Sequence, residues 1–175
     1  MRLPLTHGEI RSWKDSDAES LQRHADNRKV WLNVRDRFPH PYTLEDARQF
    51  LARTAARAPE TNFAIDVSGN AVGGVGLMLR EDVERVSAEI GYWLGEPYWG
   101  RGIMTEVVRS MTTFGIETFG LTRIVGIPFE WNRASCRVLE KAGYVLEARM
   151  SRSAIKDGSI IDQFLYAYVV SHGEP

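Results

Sequence analysis

The sequence predicts a single-domain α/β fold (1–175), with a mixed, mostly antiparallel central sheet of about seven strands flanked by about four helices. Three observations carry this. The spacing of apolar residues alternates along the chain between a helical and a two-residue period. Glycine, proline and asparagine stand where the period changes. The 175 residues are 43% apolar and 26% charged, the make-up of one ordinary globular domain.

Leu3 to Trp13 reads as a first strand, and Asp15-Ser16-Asp17 offers caps for a helix over Ala18 to Arg28. Val30 to Tyr42 is irregular, aromatic and proline-containing, a loop with short helical turns. Thr43 starts a second helix, with Asp46 at the capping-box position and Pro59 beyond its end. Asn62 to Val67, Ala71 to Leu79 and Val86 to Leu94 then alternate as three strands of an antiparallel meander, the first turn being Ser68-Gly69-Asn70. Gly102 to Phe119 is helical, with Ile103, Val107, Met111, Phe114 and Thr118 on one stripe and Gly120 as C-cap. Thr122 to Ile127 is a strand, and Ala134 to Ala142 a helix closed by Gly143. Tyr144 to Ile155 and Ile160 to Val170 form a hairpin around Lys156-Asp157-Gly158.

Charge excludes some partners. With 22 basic and 23 acidic residues the formal net charge is −1, which gives no electrostatic reason to bind nucleic acid or a membrane surface. No stretch approaches the roughly 18 to 20 apolar residues of a membrane span, and Met1 to Ile10 lacks the apolar core of a signal peptide. A lone cysteine, Cys136, suits a reducing compartment, so a cytoplasmic location is expected. His7, His24, His40 and His172 show no ligand spacing, and no metal is expected.

The chemistry gathers where a strand runs into Tyr98-Trp99-Gly100-Arg101-Gly102-Ile103-Met104-Thr105 and then a helix. A helix N-terminus offers unpaired N–H groups and about half a positive charge to a phosphate. Gly100 and Gly102 let the phosphate approach the backbone, and Arg101 adds a cation. A P-loop is excluded because Ile103 and Met104, not Lys-Ser/Thr, follow Gly102. A dinucleotide fingerprint is excluded because Thr105 stands where its third glycine or alanine belongs.

The stretch Glu89-Ile90-Gly91-Tyr92-Trp93-Leu94 with Tyr98 to Glu106 resembles the acetyl-CoA-binding motif of the GNAT acetyltransferase superfamily. It is most similar to the branch of the ribosomal-protein N-terminal (RimJ/RimL-like) acetyltransferases. Asn132-Arg133-Ala134-Ser135, leading to Lys141-Ala142-Gly143-Tyr144, is similar to that branch's Asn-x-x-Ser helix ending in Lys-x-Gly-Phe/Tyr. A weaker likeness runs through Arg37-Phe38-Pro39-His40-Pro41-Tyr42. One departure stands out: Pro97 occupies the position where the wider superfamily carries Gln or Arg, which shifts phosphate binding to backbone N–H groups and Arg101.

The resemblance implies a GNAT-like sheet, splayed at the cofactor site, and transfer of an acetyl group from acetyl-CoA to a primary amine without an acyl-enzyme. It implies that backbone groups of Tyr92, Trp93 and Leu94 pair with the pantetheine amides like an added strand. Gly100, Arg101, Gly102, Ile103, Met104 and Thr105 would hold the pyrophosphate. Asn132, by position an N-cap, would also bond the pantetheine arm. Ser135 would bond or protonate the departing thiolate, standing in for a superfamily tyrosine whose position is Leu139 here. Glu89 is the carboxylate best placed as general base, or else a strand glutamate in an ion pair. Asp162 and Tyr166, on the last strand, are read as structural. Cys136 is read as a small core residue, since no base stands at a recognisable spacing.

Trp31, Asn33, Arg37, Phe38, His40 and Tyr42 fall where this branch builds a wall of the acceptor cleft, and an aromatic cluster of this kind serves equally as a minor core. The acceptor stays open between a protein N-terminus and a small-molecule amine. A homodimer through the sheet edge or the C-terminal hairpin fits the branch, but no stripe in the sequence demands one. The rival reading is a catalytically silent acyl-CoA sensor on the same fold, which would have no need of Glu89 or Ser135.

Overall fold

A computed structural model describes residues 1–171; His172 lies outside the described residues. The elements are β1 (Arg2–Leu5), β2 (Gly8–Arg11), α1 (Ala18–Ala25), α2 (Arg28–Trp31), α3 (Leu44–Ala55), β3 (Asn62–Val67), β4 (Asn70–Leu79), β5 (Ser87–Leu94), α4 (Ile103–Phe119), β6 (Arg123–Gly126), α5 (Arg133–Lys141), β7 (Val145–Lys156) and β8 (Ser159–Val169). Eight strands form a sheet in the order β1-β2-β3-β4-β5-β6-β8-β7. Among the described residues β5 and β6 run parallel, from Ser87↔Arg123 to Glu89↔Val125. The chain clusters into two compact units: Met1–Gly76 with Tyr92–Val107, and Leu77–Gly91 with Val108–Pro175.

The eighth strand comes from the N-terminus. The segment expected as one strand over Leu3 to Trp13 is a hairpin that reverses at Thr6-His7. Packing after the turn restricts residue 8 to glycine: a Cβ there would lie 2.0 Å from the Asp66 carbonyl oxygen, where β2 lies against β3. The first helix also stops sooner than expected, at Ala25. Asn27 ends it by capping α2, its Oδ1 accepting from Lys29 N–H (2.8 Å) and Val30 N–H (3.4 Å).

In the first unit, Ala18, Leu21, Ala25, Tyr42, Ala47 and Leu51 make a buried cluster, with Trp13, Phe38, Leu44, Phe50 and Trp93 packed on it. The expected α3 capping box is present. Thr43 Oγ accepts from Asp46 N–H at 3.1 Å, and Thr43 N–H donates to the Asp46 carboxylate at 2.8 Å. Asp17, expected as a cap, makes no side-chain cap on α1. Its carboxylate takes Arg11 Nη1 (2.7 Å) and Nη2 (2.8 Å), while Arg11 Nε donates to Asp66 at 2.7 Å. All three side chains are buried, so the guanidinium answers a desolvated charge on each side.

The apolar stripe of α4 is broader at its start and shorter at its end than expected. Ile103, Met104, Val107, Val108 and Met111 are buried, whereas Phe114 is half-buried and Thr118 exposed. In the second unit Leu77, Ile124 and Leu139 are buried, and Thr112 bonds the Tyr144 hydroxyl at 2.7 Å. The C-terminal hairpin turns at Asp157 and Gly158, both at positive φ as a two-residue hairpin loop needs. Gly120 (φ 63°) and Gly143 (φ 94°) close α4 and α5 as expected.

Candidate functional site

The last three residues of β5, Tyr92, Trp93 and Leu94, belong to the first unit and lead to the glycine turn. Arg80 N–H donates to the Ser87 carbonyl (3.0 Å) and Gly95 N–H to the Val72 carbonyl (2.8 Å), so β4 and β5 keep one antiparallel register at both ends. With that register, odd-numbered residues from Ser87 to Gly95 direct their backbone groups at β4. Trp93 therefore spends its N–H and C=O on the sheet. Tyr92 and Leu94 direct theirs the other way, beyond the point where the β5–β6 ladder ends at Glu89. The Leu94 carbonyl accepts the Trp99 indole N–H at 2.7 Å, a bond the sequence did not announce.

A 3-10 turn, Glu96–Tyr98, carries Pro97 at its start. Gly100 (φ 75°) and Gly102 (φ 79°) follow in the left-handed region, and a Cβ on either would meet nothing within 4 Å. The space in front of both glycines is open. The Thr105 and Glu106 N–H groups share the Gly102 carbonyl (3.1 and 3.3 Å). The N–H groups of Gly102, Ile103 and Met104 thus head α4 without an acceptor inside the helix. Ile103 and Met104 side chains are buried, so those residues present backbone only. Arg101 is exposed, its guanidinium 5.5 Å from the Tyr98 ring. Open space, outward N–H groups and one cation suit a pyrophosphate, so the residues present fit the group that the resemblance implies.

Several contacts brace this turn. Glu96 pairs with Lys29 Nζ and accepts from Asn27 Nδ2 (2.9 Å), and these bonds, Lys29 first, hold its carboxyl below the usual range. His24 packs on Gly95 and sets its ring edge-on to Tyr98 at 5.5 Å; burial, and then Arg23, lower its pKa. Glu106 accepts from Thr6 N–H (2.8 Å) and Oγ (2.9 Å), tying the β1–β2 turn to the head of α4. A cavity of about 650 Å³ beside it is lined by Thr6, His7, Gly8, Val67, Ser68, Arg101 and Ile103.

The aromatic segment of the same unit divides in two. Phe38 contacts Tyr42 (ring centroids 4.8 Å) and Trp93 (5.4 Å), and Tyr42 is buried in the core cluster, its phenol pushed up to about 12 by burial. Trp31 stacks on His40 at 5.6 Å, and the Arg28 guanidinium lies 5.5 Å from its ring. Asn33 Nδ2 donates to the Lys29 carbonyl at 2.9 Å. Arg37 is exposed.

In the second unit, Glu89 sits half-buried on β5 between buried Ala88 and Ile90, opposite Val125. Asn132 caps α5, its Oδ1 accepting from Ser135 N–H at 3.1 Å. The cap uses the amide oxygen and leaves the NH₂ as the part able to donate to a ligand. Ser135 is half-buried in the first turn. Cys136 is buried, and burial raises its thiol pKa, the opposite of an activated nucleophile. Tyr166 donates to Glu140 at 2.8 Å, and Asp162 holds Arg149 Nε (2.7 Å) and Arg152 N–H (2.8 Å), bonds that fix α5 and the β7 bulge. Among the described residues no group of three or more His, Cys, Asp or Glu side chains is placed to hold a metal ion, and no helix is long and apolar enough to cross a membrane.

A mixed sheet with one parallel pair, and a strand end that turns through two left-handed glycines into a helix, defines an α/β protein whose open glycine turn suits a phosphate group. The comparisons name the class. The Acetyltransferase (GNAT) domain model matches residues 9–145. The chain is 33% identical over 82 residues to the uncharacterized N-acetyltransferase YoaA of Bacillus subtilis (strain 168), covering 47% of this chain and 46% of that one. It is 29% identical over 84 residues to the ribosomal-protein-serine acetyltransferase of Escherichia coli (strain K12), covering 48% and 47%. The matches span about half the length of these curated relatives. Among solved structures, a ribosomal L7/L12 alpha-N-protein acetyltransferase in complex with coenzyme A superposes with a TM-score of 0.85 at 22% identity, covering 97% of this chain and 98% of that one. A microcin C7 self-immunity acetyltransferase in complex with acetyl-CoA and AMP gives 0.83 at 20% identity, covering 95% and 94%. This chain belongs to the GNAT acetyltransferase family, and its sheet and helices are the fold of that family.

Proposed function

We propose that residues 1–175 work as one cytoplasmic N-acetyltransferase domain that moves the acetyl group of acetyl-CoA to a primary amine by direct transfer. The observation that carries this is the turn from Gly100 to Met104, with open space before its glycines and N–H groups leading α4, in a chain of the GNAT family. The backbone N–H groups and Arg101 hold the pyrophosphate. Tyr92 and Leu94, whose backbone groups are directed away from β4, pair with the pantetheine amides. The amide NH₂ of Asn132 bonds the same arm.

The amine nitrogen attacks the thioester carbonyl carbon. A C–N bond forms, the C–S bond breaks, and the electron pair leaves on sulfur. Glu89, directly or through water, takes the proton that the amine loses, and the Ser135 hydroxyl donates to the departing thiolate. Backbone N–H groups beyond the end of the β5–β6 ladder stabilise the oxyanion. A protein N-terminus is the leading acceptor, supported by the relatives that act on ribosomal proteins.

Thiol release from acetyl-CoA, followed across a panel of N-terminal peptides and small amines, tests the reading. At least one amine gives release above background, and Glu89→Gln and Ser135→Ala each lower kcat. Stabilisation by acetyl-CoA with no release from any amine would replace the enzyme with an acyl-CoA sensor. Unchanged turnover in both variants would remove these two residues from their roles.

A further inference from the structure

Trp99 ties the end of β5 to the glycine turn through its side chain. The indole N–H donates to the Leu94 carbonyl at 2.7 Å. Between the two, Tyr98 N–H donates to the Gly95 carbonyl (3.0 Å) and Trp99 N–H to the Glu96 carbonyl (3.1 Å). Gly95 N–H is held by the Val72 carbonyl of β4 at 2.8 Å. The indole thus closes residues 94–99 into a hook, with β4 behind one end and Gly100 (φ 75°) leaving the other.

Burial does not account for a tryptophan at this place. The residue keeps 42% of its surface exposed, so the ring fills no core. What the indole supplies is a donor at the right reach. The backbone groups of Leu94 are directed away from β4, and its carbonyl is among the groups assigned above to the pantetheine amides. A carbonyl oxygen has two lone pairs. With the indole on one, the other remains for a ligand N–H.

We infer that Trp99 is a positioning residue for the acyl donor: its indole N–H fixes the Leu94 carbonyl so that this acceptor and the N–H groups of the glycine turn engage one acyl-CoA molecule together. This rests on the placement of the donor proposed above. The donor carries its amides and its pyrophosphate on one chain, so the protein must hold the partners of both at a fixed separation. Glycines 95 and 100 give the segment backbone freedom, and without the indole bond the ordering of the hook would be subtracted from binding.

The test titrates acetyl-CoA calorimetrically into the wild type, Trp99→Phe and Trp99→Gln, and measures initial rates with the amine that releases most thiol in the panel above. Trp99→Phe keeps a ring and loses the donor. Trp99→Gln loses the ring and restores a donor, its amide nitrogen lying as many bonds from Cα as the indole nitrogen. Trp99→Phe is expected to raise Kd and KM for acetyl-CoA about 10-fold, the scale of one lost hydrogen bond. It leaves kcat and KM for the amine in place, because the donor's ground and transition states lose the same interaction. Trp99→Gln is expected to return Kd to within about 3-fold of the wild type. An unchanged Kd in Trp99→Phe would overturn the assignment, as would a Trp99→Gln that binds as weakly as Trp99→Phe, since the ring and not the donor would then matter. A fall in kcat with both KM values unmoved overturns it too. If Trp99→Phe does not fold, Trp99→Gln decides: a Kd near the wild type upholds the donor role, and a tenfold rise overturns it. A wild type that does not bind acetyl-CoA sinks the placement of the donor and this inference with it, whereas a wild type that binds, beside an unaffected Trp99→Phe, sinks the inference alone.

Discussion

Gly102→Ala separates two effects: backbone strain in the glycine turn, and the phosphate binding proposed for it. The residue sits at φ 79°, where an L-residue with a Cβ is strained by roughly 1–2 kcal/mol. No packing penalty adds to this, since the new Cβ meets no atom within 4 Å. For a chain of this size each kcal/mol lowers the melting temperature by roughly 2–4 °C, so the variant should melt about 2–8 °C below the wild type. The second effect appears only with ligand. The methyl group projects into the open space before the turn, where the pyrophosphate would lie against the backbone, and it keeps the phosphate from the N–H groups of Ile103 and Met104. Loss of about 1.4 kcal/mol of binding corresponds to a tenfold rise in Kd. The assay is differential scanning fluorimetry with and without acetyl-CoA. Wild type at about 100 times its Kd gains roughly 2.7 kcal/mol, and a tenfold weaker variant at the same concentration gains roughly 1.4 kcal/mol. A variant that melts lower by the strain alone yet gains as much from acetyl-CoA as the wild type would refute the placement of the phosphate at this turn.

Three further outcomes follow from the packing. Asp17→Asn leaves Asp66 as the one carboxylate paired with the buried Arg11 guanidinium and should cost roughly 3 kcal/mol, the low end for a broken buried pair, as a shift of the urea midpoint. Thr43→Ala removes the α3 cap and should cost about 1 kcal/mol by the same measurement, with acetyl-CoA binding untouched. The Glu96 carboxyl has its pKa lowered by Lys29 and Asn27, so its contribution to stability is complete above the ordinary carboxylate value of 4.5 and is lost as pH falls through the lowered folded value. Lys29→Met should therefore flatten part of the stability–pH curve below pH 4.5, and a curve that keeps its full acid limb would contradict this linkage.

What the sequence determined by itself is what neighbours along the chain decide. The Thr43–Asp46 capping box, the Asn132 cap, Gly120 and Gly143 as helix ends and the Asp157-Gly158 turn are all settled within four or five residues. The glycine turn is legible for the same reason, since a strand end, two glycines and a helix start are contiguous. The tertiary structure decided whatever rests on contacts between distant residues. Residue 8 has room for glycine alone because the Asp66 carbonyl lies against it. Asp17 accepts from the Lys14 N–H beside it and also pairs with Arg11, because the buried guanidinium has two Nη groups that Asp66, on Nε, leaves to another acceptor. The parity of β5, which directs Trp93 at β4 and Tyr92 and Leu94 away from it, is set by register, and register depends on how two strands meet. The aromatic segment shows the division most clearly. Composition marked Trp31 to Tyr42 as a wall or a minor core, and only packing could send Phe38 and Tyr42 into the core, stack Trp31 on His40, and leave the Asn33 oxygen without a donor.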